Sequence, residues 1–587
     1  MKREFFCVFC LSILYIFICT QPYASHAHHW NEGIAAAEAV YETEKAAYEV
    51  IAEEAIAEKV QTQPRFAFDD AAPTYAISAY NGWNGGTPVE LRAVLSARPT
   101  EEIRYQWFSC QNADGTGETA IDGANAPAYK TEVLKDTGVY YYFCEVSCDA
   151  ALSGGDTPQT LRSPVYHVAY TGLSAVSIRT ADGGAITSRT DYTDAVCSLY
   201  PNAEYSQYKF EDMARLKDMA ITIRGRGNSS WSMPKKGYNF KFSQKQNLFG
   251  LGKDKKWCLI ANYSDKSLLR NWFSSELSQN VFQTDGWQPS FIPVDLVLNG
   301  EYMGTYTLAN SIKISKNRVD IADITDTLKD VNSDGTVDLR DGGFILEADA
   351  RMEEGDLFQT DNEIAFAVKD LASSDESGAE GRFTKDDILS YIQAYIQTVE
   401  DVLYSESFAD ADTGYRNYLD VDSFVQWYLI NELTKNDDAN FFSSVYLFYD
   451  PADGLLHIGP VWDFDISCGN INYDDNDLPM GFWVKKAKWF SRLFLDPYFV
   501  QRVCERWSSC KMSLLYAVNR TIRDKADSLS VSAQMNFERW DILGKYVWPN
   551  APGYAERTTY QAEVDYLIDW LNARMDWLDR ALNALAD

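Results

Sequence analysis

Gly459-Pro-Val-Trp-Asp-Phe-Asp-Ile-Ser-Cys-Gly-Asn470 sets Asp463 and Asp465 on either side of one aromatic residue, at the end of an apolar run. Carboxylates two residues apart at a strand end offer hard oxygen ligands to a divalent cation. The plainer reading is a pair of turn aspartates capping nearby amides. Immediately upstream, "SVYLFYD" and "LLHIGPVW" have strand patterning around a Gly-containing turn, which predicts a hairpin. Before that hairpin, "NELTKNDDAN" (Asn431 to Asn440) closes a helical pattern and delivers Asp437 and Asp438. Capping explains either acidic pair taken singly. It explains less well why both pairs flank one hairpin.

Further upstream the chain is rich in strand patterns. "AITIRGRGNSSW", "YNFKF", "KWCLIANY" and "FIPVDLVLNGEYMGTYTLA" read as strands, and Asp265 is placed to cap a helix through "KSLLRNWFSSELSQNVF". Past residue 380 the pattern turns mainly helical, in "DDILSYIQAYIQTVEDVLY", "DVDSFVQWYLINELTKN" and "AEVDYLIDWLNARMDWLDRALNALA". The order is a β-rich half followed by an α-rich half holding one hairpin.

Phosphoryl transfer needs a backbone cradle and a cation for the ATP phosphates, carboxylates for Mg²⁺, and a base for the acceptor hydroxyl. No GxxxxGK[ST] loop is present, which argues against a P-loop mechanism. "RGRGNSSW" (Arg224 to Trp231) is a Gly-x-Gly turn that could let backbone amides approach phosphate, with Arg224, Arg226 and Asn228 around it. A tight hairpin explains its two glycines equally well. In "MPKKGYNFKF", Lys241 shares a strand face with Asn239, away from Phe240 and Phe242. Glu276 stands among apolar residues of the next helix, where an unpaired carboxylate is costly. A Lys241–Glu276 pair is expected to satisfy both and fix an ammonium near phosphate.

Several stretches in this order resemble the CotH kinase family of atypical protein kinases: "IRGRGNSSW…PKKGYNFKF", "LFGLGKDKKWCLIANYSDKSLLRN", "LNGEYMGTYTLANSIKISKNRVDI", "GGFILEAD", "FVQWYLINELTKNDDA" and "GPVWDFDISCGN". The resemblance spans roughly residues 172 to 515. It implies a bilobal, protein-kinase-like α+β fold, with a β-rich N-lobe and a helical C-lobe, that transfers phosphate from ATP, with Mg²⁺, to Ser/Thr of exported or surface proteins. On the same basis Lys241 matches the strand lysine and Glu276 its helical partner. Asp438 matches the catalytic aspartate and Asp463 the metal-binding one, with Asp465 as second ligand and Asn436 as an ancillary polar group. Two positions depart from the pattern. Ser443 stands where classical kinases place a second metal-binding Asn, and Asn310 stands where the family leads one to expect Glu. The competing reading is a non-catalytic surface scaffold whose acidic residues hold structural cations.

The 587 residues carry 53 Lys+Arg against 85 Asp+Glu, a formal charge of −32, which argues against nucleic acid as partner. Of five histidines, three lie at positions 26, 28 and 29, leaving His167 and His457, so chemistry built on several histidines loses its support. Lys2 and Arg3, an apolar stretch to Cys19 and Ser25-His26-Ala27 read as a signal peptide over residues 1–27, predicting export and no membrane span after cleavage. Residues 28–73 read as an acidic helical linker. Residues 74–170 read as an all-β domain that resembles an immunoglobulin-like sandwich, with Trp107 in its core and a Cys110–Cys144 bridge as the preferred pairing. On the resemblance, residues 171–587 are expected to form the kinase-like domain. Within it, 330–341 follows a calcium-loop pattern, with Asp330, Asn332, Asp334, Asp338 and Asp341 at the oxygen-ligand positions and Gly335 at the turn. A structural Ca²⁺ is favoured there over a solvated acidic turn.

Overall fold

In a computed structural model the described residues are 67–80, 85–97, 103–148, 159–205, 216–327, 338–351, 355–369, 371 and 383–586. The expected signal peptide, most of the acidic linker, and Asp330, Asn332 and Asp334 of the calcium-type loop lie outside them. Two units are distinguished. The first is Met1–Asp69, Leu95–Ile103 and Cys148–Gln159, whose described part is chiefly an antiparallel ribbon of Ala67–Phe68 with Leu95–Ala97. The second is Asp70–Val94, Arg104–Ser147 and Thr160–Asp587.

In the second unit an N-terminal sheet runs in the order Tyr75–Ile77, Tyr166–Tyr170, Gly138–Cys148, Ile103–Cys110, Thr119–Ala120. Trp107 is wholly buried, with Tyr129 and Tyr166 tilted against it at 5.9 and 5.3 Å, and its Nε1 donates to Ala126 O at 2.9 Å. The expected Cys110–Cys144 bridge is absent, and both thiols are free. Strand alternation gives the reason. Phe108 stacks on Phe143, so Cys110 shares the Phe143 face while Cys144 points to the opposite one.

Seven strands then close a barrel: β1 (Ser174–Thr180), β2 (Thr193–Tyr200), β3 (Met219–Arg226), β4 (Gly237–Asn247), β5 (Lys253–Ile260), β6 (Phe291–Leu298) and β7 (Glu301–Asn310). The spatial order is β1-β2-β3-β4-β5-β7-β6, and β6 returns parallel to β1. Alternating residues such as Ile223, Phe240, Trp257, Val294 and Leu308 fill the interior, so this is a packed core and not a pore. Between β5 and β6 lies helix α1 (Arg270–Glu276), continued as a wider turn to Val281. It starts later than the sequence pattern suggests, because the Asp265 carboxylate organises the preceding turn by accepting from Arg270 N at 2.9 Å and Ser267 Oγ at 2.6 Å.

A five-stranded antiparallel sheet follows, built from β8 (Phe344–Ala348), β9 (Asp356–Gln359), β10 (Ala365–Lys369), β11 (Val445–Asp450) and β12 (Leu455–Ile458) in the order β9-β10-β8-β11-β12. The helices that follow are α2 (Lys385–Tyr404), α3 (Val421–Thr434), α4 (Lys488–Leu493), α5 (Pro497–Tyr516), α6 (Ile522–Arg539), which lies along β7 of the barrel, and α7 (Tyr560–Ala586). Thus a β-rich region precedes a helical region. Helix α3 is buried from Ser423 to Thr434, as expected for a helix with no polar stripe. Among the described residues no helix is long and apolar enough to cross a membrane.

The end of α6 meets the N-terminal sheet at Glu538. Its carboxylate receives Tyr141 Oη at 2.8 Å and His167 Nδ1 at 2.6 Å, and its carbonyl receives Tyr75 Oη at 3.1 Å. Burial raises the Glu538 pKa, but the contacts from His167, Gln534 and Tyr141 outweigh it and hold the carboxyl below the usual glutamate range. A depressed carboxyl stabilises the fold above its unfolded pKa, and that contribution is lost as pH falls through the folded value. Glu538→Ala, which leaves these partners unpaired, is expected to cost about 1–3 kcal/mol near neutrality. Denaturant midpoints should show a smaller penalty as the pH is taken below the ordinary glutamate range; an equal penalty at both ends would refute the assignment.

Candidate active site

Asp438, Asp463 and Asp465 line one cleft of about 290 Å³, together with Arg224, Arg226 and Asn228 of the glycine-containing turn. Each side of the cleft is fixed by a local device. Helix α3 stops at Thr434 because Lys435 adopts a left-handed conformation (φ 43°), its Nζ held by the carbonyls of Asp475, Leu478 and Met480 at 2.7–3.0 Å. The turn Asp437–Asn440 then presents Asp438. Asp463 also lies in the left-handed region (φ 62°), where a non-glycine residue stores strain that the surroundings must sustain. Here Phe464 is buried in the core and its N donates to Asn271 Oδ1 of α1 at 2.9 Å.

Arg270 secures the same segment. It pairs with Asp265 at 2.6 Å, both side chains at most 1% exposed, while its Nε and Nη2 donate to Ser467 O at 2.9 Å and Cys468 O at 3.3 Å. Cys468 N in turn donates to Thr434 O at 2.6 Å, tying the Asp463 segment to the end of α3. The two acidic clusters are therefore held to one another through main chain.

The opposite wall is the turn after β3. An added Cβ at Gly225 would collide with the Trp231 ring, and Gly227 has φ 98°, a conformation that side chains oppose. Arg189 pins the turn by donating to Gly227 O and Asn228 Oδ1, both at 2.9 Å. Tight packing therefore demands both glycines, and their presence alone does not argue for phosphate.

The charges do. Burial, then Asp463, Asp465 and Asp437, push the Asp438 carboxyl well up, with Arg351 opposing. Burial, then Asp463 and Asp265, push Asp465 up to about 7, with Arg226 opposing. Burial works against the Arg226 charge, but Cys258, Asp463, Tyr446 and Asp465 outweigh it. Carboxylates crowded in this way ionise together only when further positive charge joins them. Their oxygens do not close into a cage within 4.8 Å among the described residues. An open all-oxygen set suits Mg²⁺, which keeps waters and phosphate oxygens in its shell.

Three expected residues sit elsewhere. Tyr238, Phe240 and Phe242 point into the barrel, so Asn239 and Lys241 face outward. Asn239, opposite Arg224, reaches the cleft; Lys241, opposite Thr222, is exposed and outside it. Glu276 is partly exposed and accepts from Asn280 Nδ2 at 2.7 Å, and among the described residues no ion pair joins it to Lys241. Glu276 instead finds its partner four residues on along its own helical stretch, and Lys241 faces solvent. Asn436 is buried behind the cleft, donating to Asn431 Oδ1 at 3.1 Å. Asn310 also serves structure, accepting from Ser290 N at 3.0 Å. Asp338 accepts from Arg340 N and Nε at 2.9 and 3.0 Å, and Asp341 is exposed.

The structure adds groups that the sequence reading passed over. Lys369 of β10 pairs with Glu347 of β8 at 2.7 Å, and both line the cleft. Arg351, also lining it, pairs with Asp349 at 3.0 Å and donates to Ser443 Oγ. Glu347, Asp349 and Arg351 recur at every second residue of "FILEADAR"; Glu347 lies on β8, and Asp349 and Arg351 follow just past its end, Arg351 in the turn.

Residues 223–578, more than half of the chain, match the family model described as CotH kinase protein. Among curated proteins, none matches the chain.

Proposed function

The chain belongs to the CotH kinase family, and from that premise we propose that it is a Mg²⁺-dependent protein kinase that phosphorylates Ser/Thr of exported or surface proteins. The observation that carries this reading is the convergence of Asp438, Asp463 and Asp465 in one cleft facing an Arg-lined turn. The donor set fits the metal, since it is composed of hard carboxylate oxygens whose mutual repulsion asks for a cation. A bound magnesium–ATP complex would supply the phosphoryl group and neutralise the carboxylates.

Asp463 and Asp465 are the residues that would hold the metal. Asp438 orients the acceptor hydroxyl and takes its proton as the bond from the hydroxyl oxygen to phosphorus forms and the bond to ADP breaks. Its raised proton affinity suits that task. Arg226 and Arg224 meet phosphate charge, and the Lys369–Glu347 pair offers the fixed ammonium first sought at Lys241. In this reading the barrel and the helical region are the two lobes of a kinase-like fold, and the sheet around Trp107 is an immunoglobulin-like spacer or binding domain. Residues 1–27 direct export, and 330–341 binds structural Ca²⁺.

Transfer of labelled phosphate from ATP to protein tests the reading; equal, negligible labelling by the parent and by Asp463→Asn would overturn it. Arg226→Gln is expected to raise KM for ATP about 10-fold or more, since a charge-assisted contact is worth about 1.5–3 kcal/mol. Steady-state kinetics would show it, and an unchanged KM would remove Arg226 from the phosphate site.

A further inference from the structure

Away from the cleft, the β11–β12 hairpin carries a second set of ligand-type side chains. Asp450 ends β11, Asp453 stands in the turn and His457 lies on β12. One ligand atom from each lies within 4.8 Å of the other two, the one such set among the described residues. Unlike the cleft, this set includes an imidazole.

The histidine is prepared from two directions. Its ring stacks on Phe448 of the paired strand, with centroids 4.8 Å apart and planes 3° from parallel. Its Nδ1 lies 2.9 Å from Asp420 Oδ2, a residue outside the set whose backbone N donates to Leu456 O at 3.0 Å. A carboxylate on one ring nitrogen fixes the tautomer that leaves the other nitrogen free to ligate, the usual support of a metal-binding histidine. Nε2 then lies 3.0 Å from Asp453 Oδ2. Two ligands of one ion at bond lengths of about 2.0–2.2 Å stand roughly that far apart. The other oxygens of the aspartates are held by backbone amides: Asp450 Oδ1 by Ala452 N and Asp453 Oδ1 by Leu455 N, each at 2.9 Å. One oxygen of each carboxylate is thereby anchored, and for Asp453 the other, Oδ2, is the one that faces the imidazole.

We propose that Asp450, Asp453 and His457 bind a divalent transition-metal ion of the zinc class, with Asp420 positioning the histidine. One nitrogen and two carboxylate oxygens favour Zn²⁺ over Mg²⁺ or Ca²⁺, which take oxygen ligands. The competing arrangement is metal-free, with a protonated His457 bridging Asp420 and Asp453.

The test uses the full chain carrying Asp463→Asn and Asp465→Asn, so that the cleft contributes no metal. Titration with Zn²⁺ by calorimetry should give one equivalent, and Co²⁺ should give visible absorption bands that excess Mg²⁺ does not remove. Adding His457→Gln should weaken Zn²⁺ binding by about 100-fold, and adding Asp420→Asn by about 10–100-fold. Zn²⁺ should also raise the melting temperature of the parent background and not that of His457→Gln. Absence of Zn²⁺ uptake, or unchanged affinity in His457→Gln, overturns the site in favour of the metal-free bridge. Should His457→Gln melt well below its background without metal, Asp453→Asn in the exposed turn takes its place. The same loss is expected, and unchanged affinity again overturns the proposal.

Discussion

Asp438→Asn is expected to slow phosphate transfer from ATP to protein by about 10²–10⁴-fold, the usual contribution of a positioned proton acceptor. The amide keeps the size of the side chain and removes its ability to take a proton. Stability should move the other way. Asp438 is disfavoured by burial and by Asp463, Asp465 and Asp437, so a neutral amide removes repulsion from the metal-free protein. Its melting temperature should equal or exceed that of the parent. This pairing of outcomes separates a catalytic role from a structural one, because a residue that merely held the fold would lose stability and activity together. Labelled-phosphate incorporation and thermal melts on the same preparation check both. A variant that melts lower yet retains full transfer would refute the role given to Asp438.

Residues that announce themselves by chemistry close to the main-chain path were readable from sequence. Asp438, Asp463 and Asp465 flank a hairpin, and the hairpin brings its two ends together whatever the distant packing, so their convergence followed from local pattern. Period-two alternation likewise placed Asn239 and Lys241 on one face of β4. It did not say how far along that face the cleft extends, a matter of barrel closure and of the register of β3 against β4. Lys241 therefore lies one pair beyond reach. Glu276 was misread for a different reason. A lysine was sought for it, whereas Asn280 stands four residues on and donates to the carboxylate from the same helical stretch. The Lys369–Glu347 pair joins residues 22 apart through the order of a five-stranded sheet, which one-dimensional pattern does not reveal. The cysteine pairing failed on alternation that was itself legible: Phe108 and Cys110 share a face, and Phe143 and Cys144 cannot.

The largest stability effect is expected at Glu432, in α3 four residues before Asn436 and the turn that delivers Asp438. Glu432 and Arg574 of α7 form an ion pair at 2.7 Å with both side chains fully buried. The pair is saturated. Glu432 accepts Trp483 N and Lys485 N at 2.8 Å, and Arg574 also donates to the carbonyls of Glu432, Pro479 and Gly481. Removing one partner leaves the other charge buried without compensation, so Glu432→Ala or Arg574→Met should each cost about 3–5 kcal/mol, read from the shift of the denaturation midpoint. Removing both charges with apolar residues of similar volume, as in Glu432→Leu with Arg574→Met, should recover most of that loss. Recovery should fall short, because the amides of Trp483 and Lys485 and the carbonyls of Pro479 and Gly481 still lose their partners. Those groups belong to the loop whose Leu478 and Met480 carbonyls hold Lys435, the residue that turns the chain toward Asp438. The double variant should therefore regain stability more fully than transfer activity. Single variants within about 1 kcal/mol of the parent, or a double variant as unstable as either single, would show that the buried pair does not anchor this end of α3.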